Sequence, residues 1–434
     1  MTAFETRQIH EGQIPDSDTG ARALPIYQTT SFVFNDAQIA ADRFALKDLG
    51  PVYSRLANPT VQAVEERIAS LEGGVGAVLT ASGQAAAFLA IINIAGAGDH
   101  VVASPSLYGG TYNLLDVTMR KLGVETTFVE NPDSIDEWKA AVQPNTKAFF
   151  GETLTNPQSS VLNLPELSKA AHDAGVPLIV DNTLATPYLL RPIEHGADVV
   201  LHSATKFLGG HGNSIAGVIV DSGNFDYSAD PDKFPGFNEP DESYNGLVFA
   251  RDLGPDSDFG ANVSYGIKIR VQLLRDLGPS ASPFNAFLIA QGLETLSLRV
   301  ERHVENAQKV ATFLENHDQV THVNYAGLES SPYNALAKQL LPKGTGAVLS
   351  FDIAGGYDAA VKFVEALELH SHVANIGDAR SLVIHPASTT HSQLSEDAQG
   401  KSGVNPALVR LSVGLEGVDD IIADLEKGFA AARG

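Results

Sequence analysis

The chain has 434 residues, enough for two or three domains and a large core. At 44% hydrophobic and 19% charged residues it has the make-up of a soluble globular protein. Acidic residues outnumber basic ones 52 to 29, a formal charge of -23 that argues against nucleic acid and anionic membranes as partners. The absence of cysteine excludes disulfides, thiolate metal sites and cysteine nucleophiles. The N-terminus has no apolar leader, and no stretch reaches the ~18 apolar residues of a membrane span, so a cytoplasmic protein is expected.

Residues 1–55 are rich in Gly, Pro, Asp and Thr and carry no long periodic run. They predict an extended arm with a short helix near residues 37–46. Its apolar residues Ile26, Tyr27, Phe32 and Phe34 need a surface to lie on, and a neighbouring subunit would supply one. From residue 56 to about 222 helix and strand patterns alternate. Asn58 and Pro59 open a helix as N-cap and first helical residue. Val61, Val64, Ile68 and Leu71 follow at helical spacing until Gly73 and Gly74. Strands are expected at 77–80, 100–104, 125–129, 147–151, in the runs ending at Asp181 and Leu201, and at 215–220. Helices are expected at 83–95, 111–122, 134–142 and 165–174. This order predicts an α/β fold with a mostly parallel sheet and helices on both faces.

Residues 222 to about 262 break the rhythm and read as an insertion or long surface loop. A long helix at 283–316, interrupted near Gly292, should lead into a smaller domain. Its strands are expected at 320–325, 347–353, 381–385 and 409–413. The expected division is an arm over 1–55, a large α/β domain over 56–285 and a smaller C-terminal α+β domain over 286–434.

Lys206 ends the segment Leu201-His202-Ser203-Ala204-Thr205-Lys206, just past a strand's C-terminal end. Ligands of open α/β sheets bind outside such ends. Burial disfavours the ammonium form, and a deprotonated lysine can form a Schiff base with a carbonyl. On these residues alone an ordinary surface lysine is the commoner reading. Asp181, 25 positions upstream at the end of Val176-Pro177-Leu178-Ile179-Val180-Asp181, changes the balance. A carboxylate at one strand end and a lysine at another are what pyridoxal phosphate requires. The lysine holds the aldehyde, and the carboxylate keeps the pyridinium protonated as an electron sink. Taken alone, Asp181 is equally a cap for the loop that follows it.

Ser82-Gly83-Gln84 lies between a strand and a helix, where the first amides and the helix dipole suit a phosphate; an ordinary N-cap is the alternative. Ser203 and Thr205 add hydroxyl donors. No Gly-x-Gly-x-x-Gly and no P-loop occurs. Tyr53 and Arg55, two apart in an extended segment, present a phenol and a guanidinium fork on one side; a surface pair beside the helix cap is the alternative. Tyr108 can stack on an aromatic ring and move protons, and Asn156 can bond a phenolic oxygen, although both also suit turns. Arg410, in a strand among apolar neighbours, needs a counter-ion: a substrate carboxylate and an internal acid are equally open. His372, His385 and His391 show no ligand spacing, and no metal is expected.

Seven ordered motifs span nearly the whole chain: Tyr-Ser-Arg-x-x-Asn-Pro-Thr, Ser-Gly-Gln-Ala, Tyr-Gly-Gly-Thr, Asn-Pro, Val-Asp-Asn-Thr, Ser-Ala-Thr-Lys and Val-Arg-Leu-Ser-Val-Gly-Leu-Glu. The set resembles the Cys/Met-metabolism pyridoxal-phosphate enzymes of fold type I. Within them, Asn375-Ile376-Gly377-Asp378-Ala379-Arg380-Ser381-Leu382 and the segments 44–50 and 384–391 are similar to the sulfhydrylases acting on O-acetylhomoserine. The resemblance implies Lys206 as Schiff-base lysine and proton shuttle, Asp181 on the pyridinium, Tyr108 stacked on the ring and Asn156 on its phenolic oxygen. It implies Ser82, Gly83, Gln84, Ser203 and Thr205 around the phosphate. Tyr53 and Arg55 would join them from a neighbouring subunit, Tyr53 also touching substrate, and Arg410 would bind the substrate α-carboxylate. Gln84 departs from the family's frequent Met, which leaves its backbone amide unaffected. The implied reaction is γ-replacement on O-acetyl-L-homoserine by sulfide, in a homo-oligomer, a tetramer of dimers with shared sites. Cystathionine γ-synthase and methionine γ-lyase activities, and a non-catalytic α/β binding protein, are the alternatives.

Overall fold

The structure, a computed structural model, describes residues 2–390 and 403–433. The alternating segments form a seven-stranded sheet in the order β1-β7-β6-β5-β4-β2-β3. Its strands are β1 (Gly76–Thr80), β2 (His100–Ala103), β3 (Glu125–Phe128), β4 (Thr146–Glu152), β5 (Leu178–Asp181), β6 (Val199–Ser203) and β7 (Gly217–Asp221). Strands β3, β2, β4, β5 and β6 pair in parallel, and β7 runs antiparallel to both its neighbours. The central strands are covered on both faces: Phe149, Phe150, Leu178, Ile179, Val180, Val199 and Val200 are all fully buried. That explains their unbroken apolar runs. The chain leaves β2 outward to β3 and returns to β4. Strand order therefore turns back between β2 and β4, with a crevice at their C-terminal ends.

The arm is not wholly extended. Helix α1 (Phe4–His10) docks on the body, with Gln8 exchanging two hydrogen bonds with Ser297, at 3.0 and 3.1 Å. These partners lie 289 residues away, so no local pattern could show the helix. Helix α2 (Ala37–Phe44) starts at Asp36, which accepts from the Ile39 amide. The arm leaves Ile14 and Val33 84% and 92% exposed, and Phe44 is exposed as well. Helix α3 (Pro59–Glu72) begins as its sequence predicts, with the Asn58 side chain accepting from Thr60 N at 3.0 Å. Helix α4 (Gly83–Ile92) follows β1.

The region after 222 is not a surface loop. Tyr227, Phe234, Phe237 and Phe249 are buried, and Tyr227 stacks on Phe237 at 4.3 Å. Desolvating these rings holds the short helices there against the sheet. The long helix is two, Pro283–Leu293 and Leu296–Glu315. At the break Gly292 lies against the carbonyl of Leu208; a Cβ there would sit 2.7 Å from it. The second sheet has the order β10-β11-β12-β9-β8: β8 (Val320–Asn324), β9 (Val348–Ile353), β10 (Ser371–His372), β11 (Leu382–Ile384) and β12 (Leu408–Ser412). Among the described residues no helix is long and apolar enough to cross a membrane.

Candidate active site

The C-terminal ends of β1, β2, β4, β5 and β6 share one edge of the large sheet. That edge collects Ser82, Tyr108, Asp181, Ser203 and Lys206, as the sequence predicts. The register puts Glu152 opposite Asp181, and Asp181 opposite Leu201.

Ser82 is the N-cap of α4 and accepts from Ala85 N at 3.1 Å. The amides of Gly83 and Gln84 form no hydrogen bond among the described residues, so the first turn is open to an anion. Gly83 must be a glycine: a Cβ would lie 2.8 Å from Cβ of Ser203. The Gln84 side chain points elsewhere, accepting from the Thr111 hydroxyl at 3.1 Å. The Thr205 hydroxyl is already tied to the carbonyl of Ala216, at 3.2 Å, whereas Ser203 Oγ faces the glycine. Tyr53 and Arg55 are exposed on the arm, the guanidinium 5.2 Å from the phenol ring centre. Among the described residues neither side chain bonds to this cup within its own chain.

Asp181 accepts from the Thr183 amide at 2.9 Å and its hydroxyl at 2.5 Å. Glu152, which the sequence reading left out of its strand, is buried beside it and accepts from Tyr108 N at 2.6 Å. Burial and then the Asp181 charge push the Glu152 carboxyl well above the usual range. Burial raises Asp181 too, opposed by the Thr183 donors and by His202. Two adjacent carboxyls cannot both ionise cheaply, and the Thr183 donors favour the charged form of Asp181 over that of Glu152. Behind them His202 meets Glu72 at 2.5 Å, both side chains fully buried, and Asn182 donates to the same Glu72 oxygen at 3.0 Å.

Lys206 Nζ lies 2.5 Å from Asn375 Oδ1 and meets no carboxylate among the described residues. Burial, then the neighbouring Arg410, lowers its affinity for a proton. Arg299 holds the turn that carries it, donating to the carbonyls of Phe207 (2.8 Å), Leu208 (3.2 Å) and Gly292 (2.8 Å). Neither Arg299 nor Glu152 had a motif of its own in the sequence.

Tyr108 is 55% exposed, and Gly110 lies against its ring: a Cβ there would sit 2.5 Å from Cε1. Arg410 comes from the second sheet, paired between Ser350 and Ile384, and is 8% exposed. Among the described residues no acid answers it. Among the described residues its partners are Asn156 Oδ1 at 3.4 Å and the Asn375 carbonyl at 3.0 Å, and its Nε has none. Burial pushes it down to about 10. A buried guanidinium without a carboxylate is an anion site waiting for its ligand. Of the three histidines, His385 has both ring nitrogens bonded, to Ser388 Oγ and the Pro406 carbonyl. His372 is exposed on β10, and His391 lies outside the described residues.

Free helix amides, a carboxyl, an aromatic ring and an amine whose burial disfavours its charged form thus gather at one edge of the sheet beside Arg410. They fit a phosphorylated pyridine aldehyde. The family model of the Cys/Met metabolism PLP-dependent enzymes matches residues 5–430. The chain is 58% identical over 431 residues to the O-acetyl-L-homoserine sulfhydrylase of Corynebacterium glutamicum, covering 99% of this chain and 97% of the relative. It is 50% identical over 430 residues to the homocysteine synthase of Schizosaccharomyces pombe, covering 99% and 98%. A solved Campylobacter jejuni structure, described as an O-acetylhomoserine (thiol)-lyase with N'-pyridoxyl-lysine-5'-monophosphate, superposes with a TM-score of 0.93. It shares 40% identity and covers 99% of this chain and all of its own.

Proposed function

The chain belongs to the Cys/Met metabolism PLP-dependent enzyme family, and from that premise we propose that it converts O-acetyl-L-homoserine and sulfide to L-homocysteine and acetate by γ-replacement. Relatives bearing the sulfhydrylase and homocysteine synthase names support the reaction. The observation that carries the reading is that Lys206 Nζ and the buried Arg410, which meets no carboxylate among the described residues, are both held to Asn375. When bound, pyridoxal 5'-phosphate supplies a sink for the electrons released at the substrate Cα.

The chain's own residues supply the rest. Gly83 and Gln84 amides, Ser82, Ser203 and Thr205 hold the phosphate, joined by Tyr53 and Arg55 of a neighbouring subunit. Asp181 pairs with the ring nitrogen; the opposite charge arriving there offsets the burial that raises its pKa. Tyr108 covers the ring face and assists proton movement, and Asn156 bonds the phenolic oxygen. Arg410 clamps the α-carboxylate, and Tyr53 closes the substrate side. Lys206, whose burial lowers its affinity for a proton, takes the Cα proton and ferries protons along the Cα–Cβ side, while acetate leaves Cγ and the sulfur replaces it. Shared sites make a homodimer the smallest complete enzyme, and a tetramer of two such dimers fits the exposed arm. The domain division at 55 and 285, and a cytoplasmic location, belong to the same reading.

Incubation with O-acetylhomoserine plus sulfide, plus cysteine, or alone separates the alternatives. Homocysteine from the sulfide reaction is expected to dominate. Cystathionine as the main product, or breakdown without a nucleophile, would move the chain to the synthase or lyase activity.

A further inference from the structure

Asn375 has no role in the reading so far, yet it touches both ends of the site. Its amide oxygen lies 2.5 Å from Lys206 Nζ, and its peptide oxygen accepts from Arg410 Nη2 at 3.0 Å. The segment around it is pressed on the lysine turn. Gly377, at φ +72°, sits where a Cβ would be 2.7 Å from Phe207 N and 3.0 Å from the Lys206 carbonyl carbon. Gly377 N donates to Ser412 Oγ at 3.0 Å, and Ala379 N to the Gly210 carbonyl at 2.9 Å. The segment that follows Asn375 is thus held on the lysine turn, and Asn375's own peptide oxygen is held by Arg410.

The chemistry of an amide oxygen matters here. It only accepts, and it carries no charge. A neutral amine can give it one hydrogen and keep its lone pair free. A carboxylate in the same place would instead draw a proton onto the amine. The charged group that acts on Lys206 is Arg410 from β12; Arg299, from the helix Leu296–Glu315, bonds the turn after it, and Asp378 lies three residues beyond Asn375. Arg299 is committed to carbonyls, and Asp378 to Arg380 at 3.1 Å. Among the described residues Asn375 is the one group bonded to the amine itself.

We propose that Asn375 is the positioning residue for the amine of Lys206: it aims the nitrogen without placing a negative charge beside it, and ties that hold to the carboxylate clamp through its own peptide oxygen. The inference rests on the assignment of Lys206 to the cofactor. Its test reads attachment rather than turnover. The cofactor-stripped full chain is mixed with pyridoxal phosphate across a pH series, trapped with borohydride, and the pyridoxyl adduct at Lys206 is quantified by mass spectrometry. Asn375→Asp is expected to move the midpoint of attachment at least one pH unit upward, about tenfold slower attachment at neutral pH. Asn375→Ser removes the hold without adding charge: attachment slows and the midpoint stays. A natively folded Asn375→Asp with an unmoved midpoint overturns the proposal, as does an Asn375→Ser that attaches at the wild-type rate. No adduct at Lys206 in the wild type would instead sink the cofactor assignment beneath it.

Discussion

Asp181 and Arg410 are the two buried charges that bracket the crevice, and the chain treats them differently. Asp181 is provided for in advance: Thr183 gives it two donors, and burial pushes the Glu152 carboxyl beside it well above the usual range. Among the described residues Arg410 meets only neutral oxygens and keeps a buried Nε without an acceptor. The first is organised before anything binds; the second is left with donor capacity for an incoming anion. The large sheet therefore holds the group that stays, and the small sheet recognises the one that comes and goes.

Removing the Lys206 amine should have the largest effect. Lys206→Ala is expected to lower turnover by at least about 10²- to 10⁴-fold, the usual worth of a positioned proton carrier, and to abolish the borohydride-trapped adduct. Wild-type turnover in that variant would break the whole assignment. Arg410→Gln sharpens the contrast. Losing charge-assisted hydrogen bonds worth roughly 1.5–3 kcal/mol should raise KM for acetylhomoserine about 10- to 150-fold while adduct formation at Lys206 persists. A variant that loses cofactor attachment but keeps KM would reverse the division of labour between the sheets.

The smallest effect lies at the seam. His303 is buried with its ring edge against Phe207, 5.3 Å between centres, and its Nδ1 donates to the Val413 carbonyl. Burial pushes it down to about 4. Between about 4 and 6.5 the unfolded chain binds more protons at this site, so stability rises with pH through that window. The gain is roughly 3 kcal/mol at most. Urea unfolding of His303→Gln, which keeps a donor for the carbonyl, should lack that rise; an identical pH slope would show that His303 does not titrate on unfolding.

Much of this could be read before the coordinates. Apolar runs ending in Asp181 and in Leu201 announced central parallel strands, because burial on both faces leaves no alternation. Lys206, Asp181 and Ser82 followed from their places after strands. Glu152 did not: its strand was expected to stop at Gly151, since a carboxylate inside a strand resembles an end. Only the register opposite Asp181 gives it meaning. Whether Arg410 had an internal acid was undecidable locally, because the answer lies 254 residues away at Asn156. The aromatics after 222 misled in the other direction. Turn-rich spacing signalled a loop, but mutual stacking overrode it.

The reversed direction of β7 carries a last implication. It brings Gly217 up against the Ser82 carbonyl, where a Cβ would overlap it, just as Gly83 abuts Ser203. The floor of the pocket is therefore closed to redesign: any methyl added there displaces backbone. Someone wishing to retarget this scaffold to a different amino acid has latitude only overhead, along β12 and the strip running from Asn375 to Ala379.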